Sequence, residues 1–147
     1  MAQSPLFPDA FYRVTIKGLC VRNGKLLMIR ETRRKDQWEL PGGGLDFGED
    51  IREGFNRETE EEMGLQTVKM SKSPVYVWSH KNERTENWFY SFVVAYRIEL
   101  EHLDFTPSEE CAEIRFFLPE ELKTLKLAGQ MTPLVEIFNP EDFPGNF

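Results

Sequence analysis

The sequence predicts an α+β fold, with strands gathered around one well-bounded helix. Three observations predict it. Residues 11–30 and 75–98 hold strand-length segments that alternate in polarity or run apolar. Residues 50–64 carry matched helix start and stop signals. Near the C-terminus, Pro119 and Pro133 open two further helical segments. Strands joined to helices in this order give the α+β class. The chain has 147 residues, 40% hydrophobic and 29% charged, so it reads as one globular domain over residues 1–147.

Residues 1–10 are proline-rich and read as irregular. From Phe11 to Arg22, Val14, Ile16, Gly18 and Cys20 share one face while Arg13, Thr15 and Lys17 share the other, which predicts a half-buried strand. Asn23-Gly24 is a two-residue hairpin signal, and Lys25–Arg30 returns as a more apolar strand. Glu31–Gln37 reads as a charged loop holding Arg33 and Arg34, either a solvated turn or a basic lip that meets substrate phosphates. Trp38-Glu39-Leu40-Pro41 reads as a short extended piece, with Leu40 biased away from helix by Pro41. Gly42-Gly43-Gly44 then reads as a loop. It is not a phosphate-binding Walker loop, because no Gly-Lys-Ser/Thr follows.

Asp50 is the expected N-cap of the next helix, with Glu53 three residues on, and Gly64 is the expected stop. The helix is therefore Ile51–Met63. Gly54 inside it costs about 1 kcal/mol relative to alanine, which suggests close packing there. Val75–Trp78 and Trp88–Ile98 follow as strands around a polar loop, His80–Asn87. On the longer strand Trp88, Tyr90, Phe92 and Val94 alternate with Phe89, Ser91, Val93 and Ala95. Ile114–Leu118 reads as a last strand, Pro119–Leu125 as a helix, and the segment from Thr132 as a terminal helix before a tail punctuated by proline and glycine.

Composition excludes several classes. The net charge of −7 argues against duplex nucleic acid, whose phosphate backbone needs a basic surface. It leaves room for a small phosphorylated ligand whose charge a metal ion balances. No apolar run approaches the roughly 20 residues of a membrane span, and the start carries no secretory signature. Cys20 and Cys111 have no metal-type spacing and read as reduced, buried thiols of a cytoplasmic protein.

The acidic helix end is the strongest functional signal. At about 100° per residue, Glu58 and Glu62 lie within roughly 40° of the inward stripe set by Ile51 and Phe55. Glu58 neighbours Glu61 and Glu62 at helical spacing, where like charges repel by about 0.2–0.5 kcal/mol per pair. Glu60, Glu61 and Glu62 also crowd the negative end of the helix dipole. Arg57, four residues from both Glu53 and Glu61, offsets part of this. A bound divalent cation resolves all three conflicts. Carboxylates without His or Cys partners suit Mg²⁺, Mn²⁺ or Ca²⁺, and Mg²⁺ commonly shares its shell with substrate phosphates.

The same segment resembles the Nudix hydrolase family. That family's box places a glycine, five residues, a glutamate, seven residues, then Arg-Glu-U-x-Glu-Glu-x-Gly-U, where U is a bulky aliphatic. Gly43, Glu49, Arg57, Glu58, Glu61, Glu62, Gly64 and Leu65 match at that spacing, and Thr59 departs at the first aliphatic position, where altered local packing is expected. The resemblance implies an α/β/α sandwich around a mixed sheet. It implies hydrolysis of a pyrophosphate bond in a nucleoside diphosphate linked to another moiety, with Mg²⁺ as cofactor and Mn²⁺ as substitute. Glu58 and Glu62 would be metal ligands, joined by the Gly43 carbonyl. Glu61 would be a further ligand or the base that activates water. Arg57 and Glu49 would form an ion pair holding the carboxylates. A late-loop acid would complete the site, Glu110 first and Glu113 second. The family also contains non-catalytic modules that bind nucleotides; those usually have eroded boxes, whereas this one keeps every charged position.

The expected partner is a small nucleotide, either a (deoxy)nucleoside triphosphate or a nucleotide sugar, acted on by a monomer or homodimer without membrane or duplex nucleic acid. Arg33 and Arg34 are candidate phosphate contacts. Trp78 and Tyr90, with Trp88 and Phe92 beside them in the strands, are candidates to stack on a base.

Overall fold

The computed structural model describes residues 10–81, 88–145 and 147. The start over residues 1–9, the polar loop over 82–87 and the Trp88 and Phe89 side chains lie outside the described residues. The strands are β1 (Ala10–Leu19), β2 (Val21–Arg22), β3 (Lys25–Glu31), β4 (Gln37–Glu39), β5 (Gly42–Gly44), β6 (Thr67–Met70), β7 (Tyr76–Lys81), β8 (Trp88–Leu100) and β9 (Glu113–Phe117). The helices are α1 (Ile51–Met63), α2 (Pro119–Leu122) and α3 (Leu134–Ile137), with 3-10 turns at Gly129–Met131 and Pro140–Asp142.

Strand β1 is the axis of the larger sheet. It pairs parallel with β8, Ala10 opposite Trp88 through Leu19 opposite Arg97, and antiparallel with β5. The far edge of β8 carries β7 and β6, both antiparallel, so the sheet is mixed. In the second sheet β3 pairs antiparallel with β2, β4 and β9. The Asn23-Gly24 turn has φ of 52° and 75°, the left-handed pair that a two-residue hairpin with native twist requires.

Strand parity divides the core into two layers. Ile16, Leu27, Ile29 and Ile98 pack with Phe55 and Met63 of α1. Leu19, Leu26, Met28 and Ala95 pack with Leu122, Met131 and Leu134 of the C-terminal segments. Helices thus cover both sides of the strands, which is the expected α/β/α sandwich. This arrangement corrects the half-buried reading of β1. From Thr15 onward both faces are covered, and Lys17, read as outward, is 2% exposed.

The glycine run is a strand rather than a loop, because Gly42–Gly44 pair with Thr15–Lys17. The C-terminal helices are single turns. Residues 126–128 leave the helical path to run beside β4: Trp38 N–H donates to Lys126 O at 2.8 Å, and Ala128 N–H donates to Trp38 O at 2.9 Å.

Helix α1 has the expected ends. The Asp50 side chain accepts from Glu53 N–H, and Gly64 takes φ 67° while its N–H bonds Glu60 O. Its buried stripe runs through Phe55, Thr59 and Glu62, whereas Ile51 is exposed. Thr59 is fully buried, and its hydroxyl donates to Asn56 O at 3.2 Å, so the departure from an aliphatic side chain leaves no unmet donor. Gly54 is closely packed as expected, since a Cβ there would stand 2.6 Å from Leu45 Cδ1.

Phe55 anchors α1 to the sheet. Its ring occupies space that a side chain at Gly18 of β1 would need, 2.5 Å from the Cβ position, and also lies against Gly42 of β5. Phe55→Ala empties that slot and lowers unfolding free energy by about 3–5 kcal/mol in urea titration. A loss below about 1 kcal/mol contradicts this anchoring role.

Candidate active site

The site is built where β5 is held between β1 and α1. With no side chains on Gly42–Gly44, the acids of α1 come down onto the strand. A Cβ at Gly43 would lie 2.6 Å from the Glu58 carboxyl carbon. Glu62 reaches further, and its Oε1 accepts from Gly42 N–H at 2.9 Å. From the opposite side Lys17 Nζ donates to Gly42 O at 2.8 Å and to Leu40 O at 3.1 Å, with the Glu39 carboxylate 3.6 Å away. The Gly42 residue is therefore gripped through its N–H by an anion and through its carbonyl by a cation.

Burial sets the electrostatics of the acids. Glu62 is only 4% exposed, and desolvation pushes its carboxyl well above the ordinary range, against the opposing pull of Lys17 and the Gly42 N–H. The Glu58 carboxyl is also raised, chiefly by burial, with Arg57 opposing. Lys17 stands beside Glu62 and Arg57 against Glu58, yet desolvation outweighs both cations and leaves both carboxyls raised.

Arg57 braces this pair. Its Nε and one terminal nitrogen grip both Glu49 oxygens at 2.8 and 3.0 Å, a bidentate fork. It also donates to Gly44 O at 3.1 Å and to Glu58 Oε1 at 3.1 Å. One arginine thus ties the loop before α1, the glycine strand and a cleft carboxylate together. The expected Arg57–Glu49 pair is in place.

A cleft of about 410 Å³ opens above these groups. Of the expected residues, Gly43, Glu58, Glu62, Glu110, Arg33 and Arg34 line it. Arg33 donates to Glu110 Oε1 at 2.6 Å, so the basic lip and the late-loop acid meet across the rim. Four of the expected residues do not line the cleft. Glu61 does not line the cleft; it is 55% exposed and turns to Arg57 at 3.4 Å, because residue 61 falls off the buried stripe. Tyr90 is on the opposite face of β8 from the cleft-lining Ser91, and its ring lies 5.5 Å from that of Tyr12. Trp78 packs into the C-terminal core, and its indole N–H donates to Gln130 O at 2.7 Å. Glu113 is held on β9 by Arg30 and Arg115.

Lys17, Glu39, Arg13, Thr15, Ser91 and Gln130 also line the cleft, unnoticed in the sequence. One signal was available: Arg13, Thr15 and Lys17 form a polar stripe along a strand that parity places inside a sheet.

Among the described residues, no three His, Cys, Asp or Glu side chains converge into a ready-made metal ligand set. The donor chemistry that is present fits a hard divalent cation bound through few protein groups. Half-buried Glu58 and buried Glu62 are oxygen donors with raised carboxyls, beside the Gly43 backbone. Mg²⁺ is typically held by one or two carboxylates, with waters and substrate phosphates completing its shell.

Residues 12–137 match the family model of the NUDIX domain. An uncharacterized Nudix hydrolase of Listeria innocua is 27% identical over 78% of this chain and 69% of its own length. The CTP pyrophosphohydrolase of Escherichia coli K12 is 28% identical over 84% of this chain and 88% of its own. In fold, the chain is similar to the MutT protein from Methanosarcina mazei, with a TM-score of 0.69, 23% identity, and coverage of 90% of this chain and 96% of that one.

The brace is testable through pH. The Arg57 guanidinium, then the Asp46 N–H, hold the Glu49 carboxyl down from 4.5 to about 2. A folded value below the unfolded one means stability that is present above about 4.5 and lost as pH falls toward about 2. Glu49→Gln therefore lowers the melting temperature at pH 7, and the gap to wild type closes across that acid window. A gap unchanged down to pH 2 contradicts the brace.

Proposed function

The chain belongs to the NUDIX domain family and is a Nudix pyrophosphohydrolase, and from that premise we propose that it hydrolyses a pyrophosphate bond in a small nucleotide with the help of Mg²⁺. The observation that carries this reading is the pair of desolvated α1 carboxylates, buried Glu62 and half-buried Glu58, pressed against the side-chain-free strand in a cleft that also presents Arg13, Lys17, Arg33 and Arg34. Anionic groups at the base call for a metal, and cationic groups on the walls call for phosphates. Glu58, Glu62 and the Gly43 carbonyl would hold the cation; Mn²⁺ is the expected substitute. Bound there, it would polarise the scissile phosphate and neutralise charge that develops on it.

The remaining roles fall to this chain's own residues. Arg57 and Glu49 keep the Glu58 carboxylate in position. Arg33 and Arg34 orient the polyphosphate. Lys17 fixes the Gly42 carbonyl and keeps one positive charge beside the acids. Two carboxylates are candidates to take a proton from the attacking water: Glu61, at the position the box gives a catalytic acid, and Glu110, which lines the cleft. Similarity to the E. coli CTP pyrophosphohydrolase over most of both chains supports a nucleoside triphosphate as the substrate, with a nucleotide sugar as the second choice.

Glu62→Gln and Glu58→Gln each lower kcat by about 100-fold or more, and chelation of Mg²⁺ abolishes turnover of the wild type. Released phosphate or pyrophosphate, measured across a nucleotide panel, checks both. Among Glu61→Gln and Glu110→Gln, the variant whose kcat falls by about 10²- to 10⁴-fold identifies the proton acceptor. Near-wild-type turnover in all four variants contradicts the assignment.

A further inference from the structure

Gln130 sits in the 3-10 turn Gly129–Met131 and lines the cleft. Its backbone is fixed, because the carbonyl accepts the Trp78 indole N–H at 2.7 Å. Gln130 Oε1 is buried and has no hydrogen-bond partner among the described residues. Only Thr67 Oγ1 shares that state among them, and it lies on β6 and does not line the cleft. Buried polar atoms in folded proteins are nearly always paired. In a residue that lines a cleft, a ligand is one source of the partner that this oxygen lacks.

The chemistry of the cleft wall says what part of the ligand that is. The charged groups Arg33, Arg34 and Lys17 suit phosphates. Gln130 belongs instead with Thr15 and Ser91, two neutral and largely buried side chains that line the same cleft. A carboxamide offers an acceptor and a donor side by side, which matches the hydrogen-bonding edge of a nucleobase. We infer that Gln130 is a specificity-determining residue that reads the base edge of the nucleotide, with Oε1 accepting an N–H from the base. The inference rests on the proposed reading only in that the cleft takes a nucleotide; it does not require hydrolysis.

The test compares wild type, Gln130→Met and Gln130→Glu as full chains, each checked for an unchanged melting temperature. kcat and KM are measured with Mg²⁺ for CTP, UTP, ATP and GTP, and inorganic tripolyphosphate serves as a base-free inhibitor. Gln130→Met is expected to lower kcat/KM for the preferred nucleotide at least about tenfold through KM, and to compress the spread among the four. The inhibition constant of tripolyphosphate stays unchanged. Gln130→Glu, which can only accept, shifts preference toward GTP, whose base edge carries two adjacent N–H donors. A Gln130→Met enzyme that keeps the wild-type order and ratios among the four overturns the inference, as does equal weakening toward tripolyphosphate. Calorimetric binding of the same four nucleotides separates the two readings. Gln130-dependent binding without turnover defeats only the hydrolytic reading, and turnover with Gln130-independent base preference defeats only this one. Binding of none of the four overturns the inference.

Discussion

The grip on Gly42 is the interaction on which the rest of the structure depends. Its N–H donates to Glu62 of α1 and its carbonyl accepts from Lys17 of β1. One residue thereby joins helix, sheet and cleft floor. The arrangement places a carboxylate and an ammonium where water is excluded, which costs free energy unless each charge is hydrogen-bonded. Each here has a backbone partner, and neither neutralises the other directly. Glu62 is left with oxygen lone pairs available to a cation, and that availability is what a ligand site requires.

Glycine makes the grip possible for steric reasons. A side chain at Gly43 would collide with the Glu58 carboxylate, and one at Gly42 would collide with β1 and the Phe55 ring. The strand therefore acts as a thin spacer. It is wide enough to pair with β1 and thin enough to let α1 press its acids to the backbone. Arg57 completes the layer by tying Gly44 to Glu49 and Glu58. Stability and function are thus drawn from the same contacts, with the apolar half of the interface supplied by Phe55 and Met63.

Much of this was legible in the sequence because local rules carried it. The caps at Asp50 and Gly64, the Asn23-Gly24 turn and the spacing of Glu58 and Glu62 each depend on short-range geometry. The Arg57–Glu49 pair followed from the box. What was not legible depends on which strands become neighbours. Lys17 looked outward until β1 proved to lie between β5 and β8. Tyr90 looked available until parity turned it to the face opposite Ser91. Glu61 matched its motif position, yet the helix phase that buries Glu62 carries residue 61 out of the cleft. Gln130 carried no sequence signal, since its place in the cleft arises from the single-turn segments that fold back on β4 and β7.

The central claim is that two desolvated carboxylates of α1, pressed against a glycine strand, form a divalent-cation site that supports cleavage of a nucleotide pyrophosphate bond. Phosphorus NMR of a nucleoside triphosphate incubated with the protein tests it most directly. With Mg²⁺ the account predicts steady conversion to shorter phosphate products, stopped at once by a chelator and restored by excess Mg²⁺ or Mn²⁺. Conversion that continues unchanged through chelation, or no conversion of any nucleotide with either metal, contradicts it.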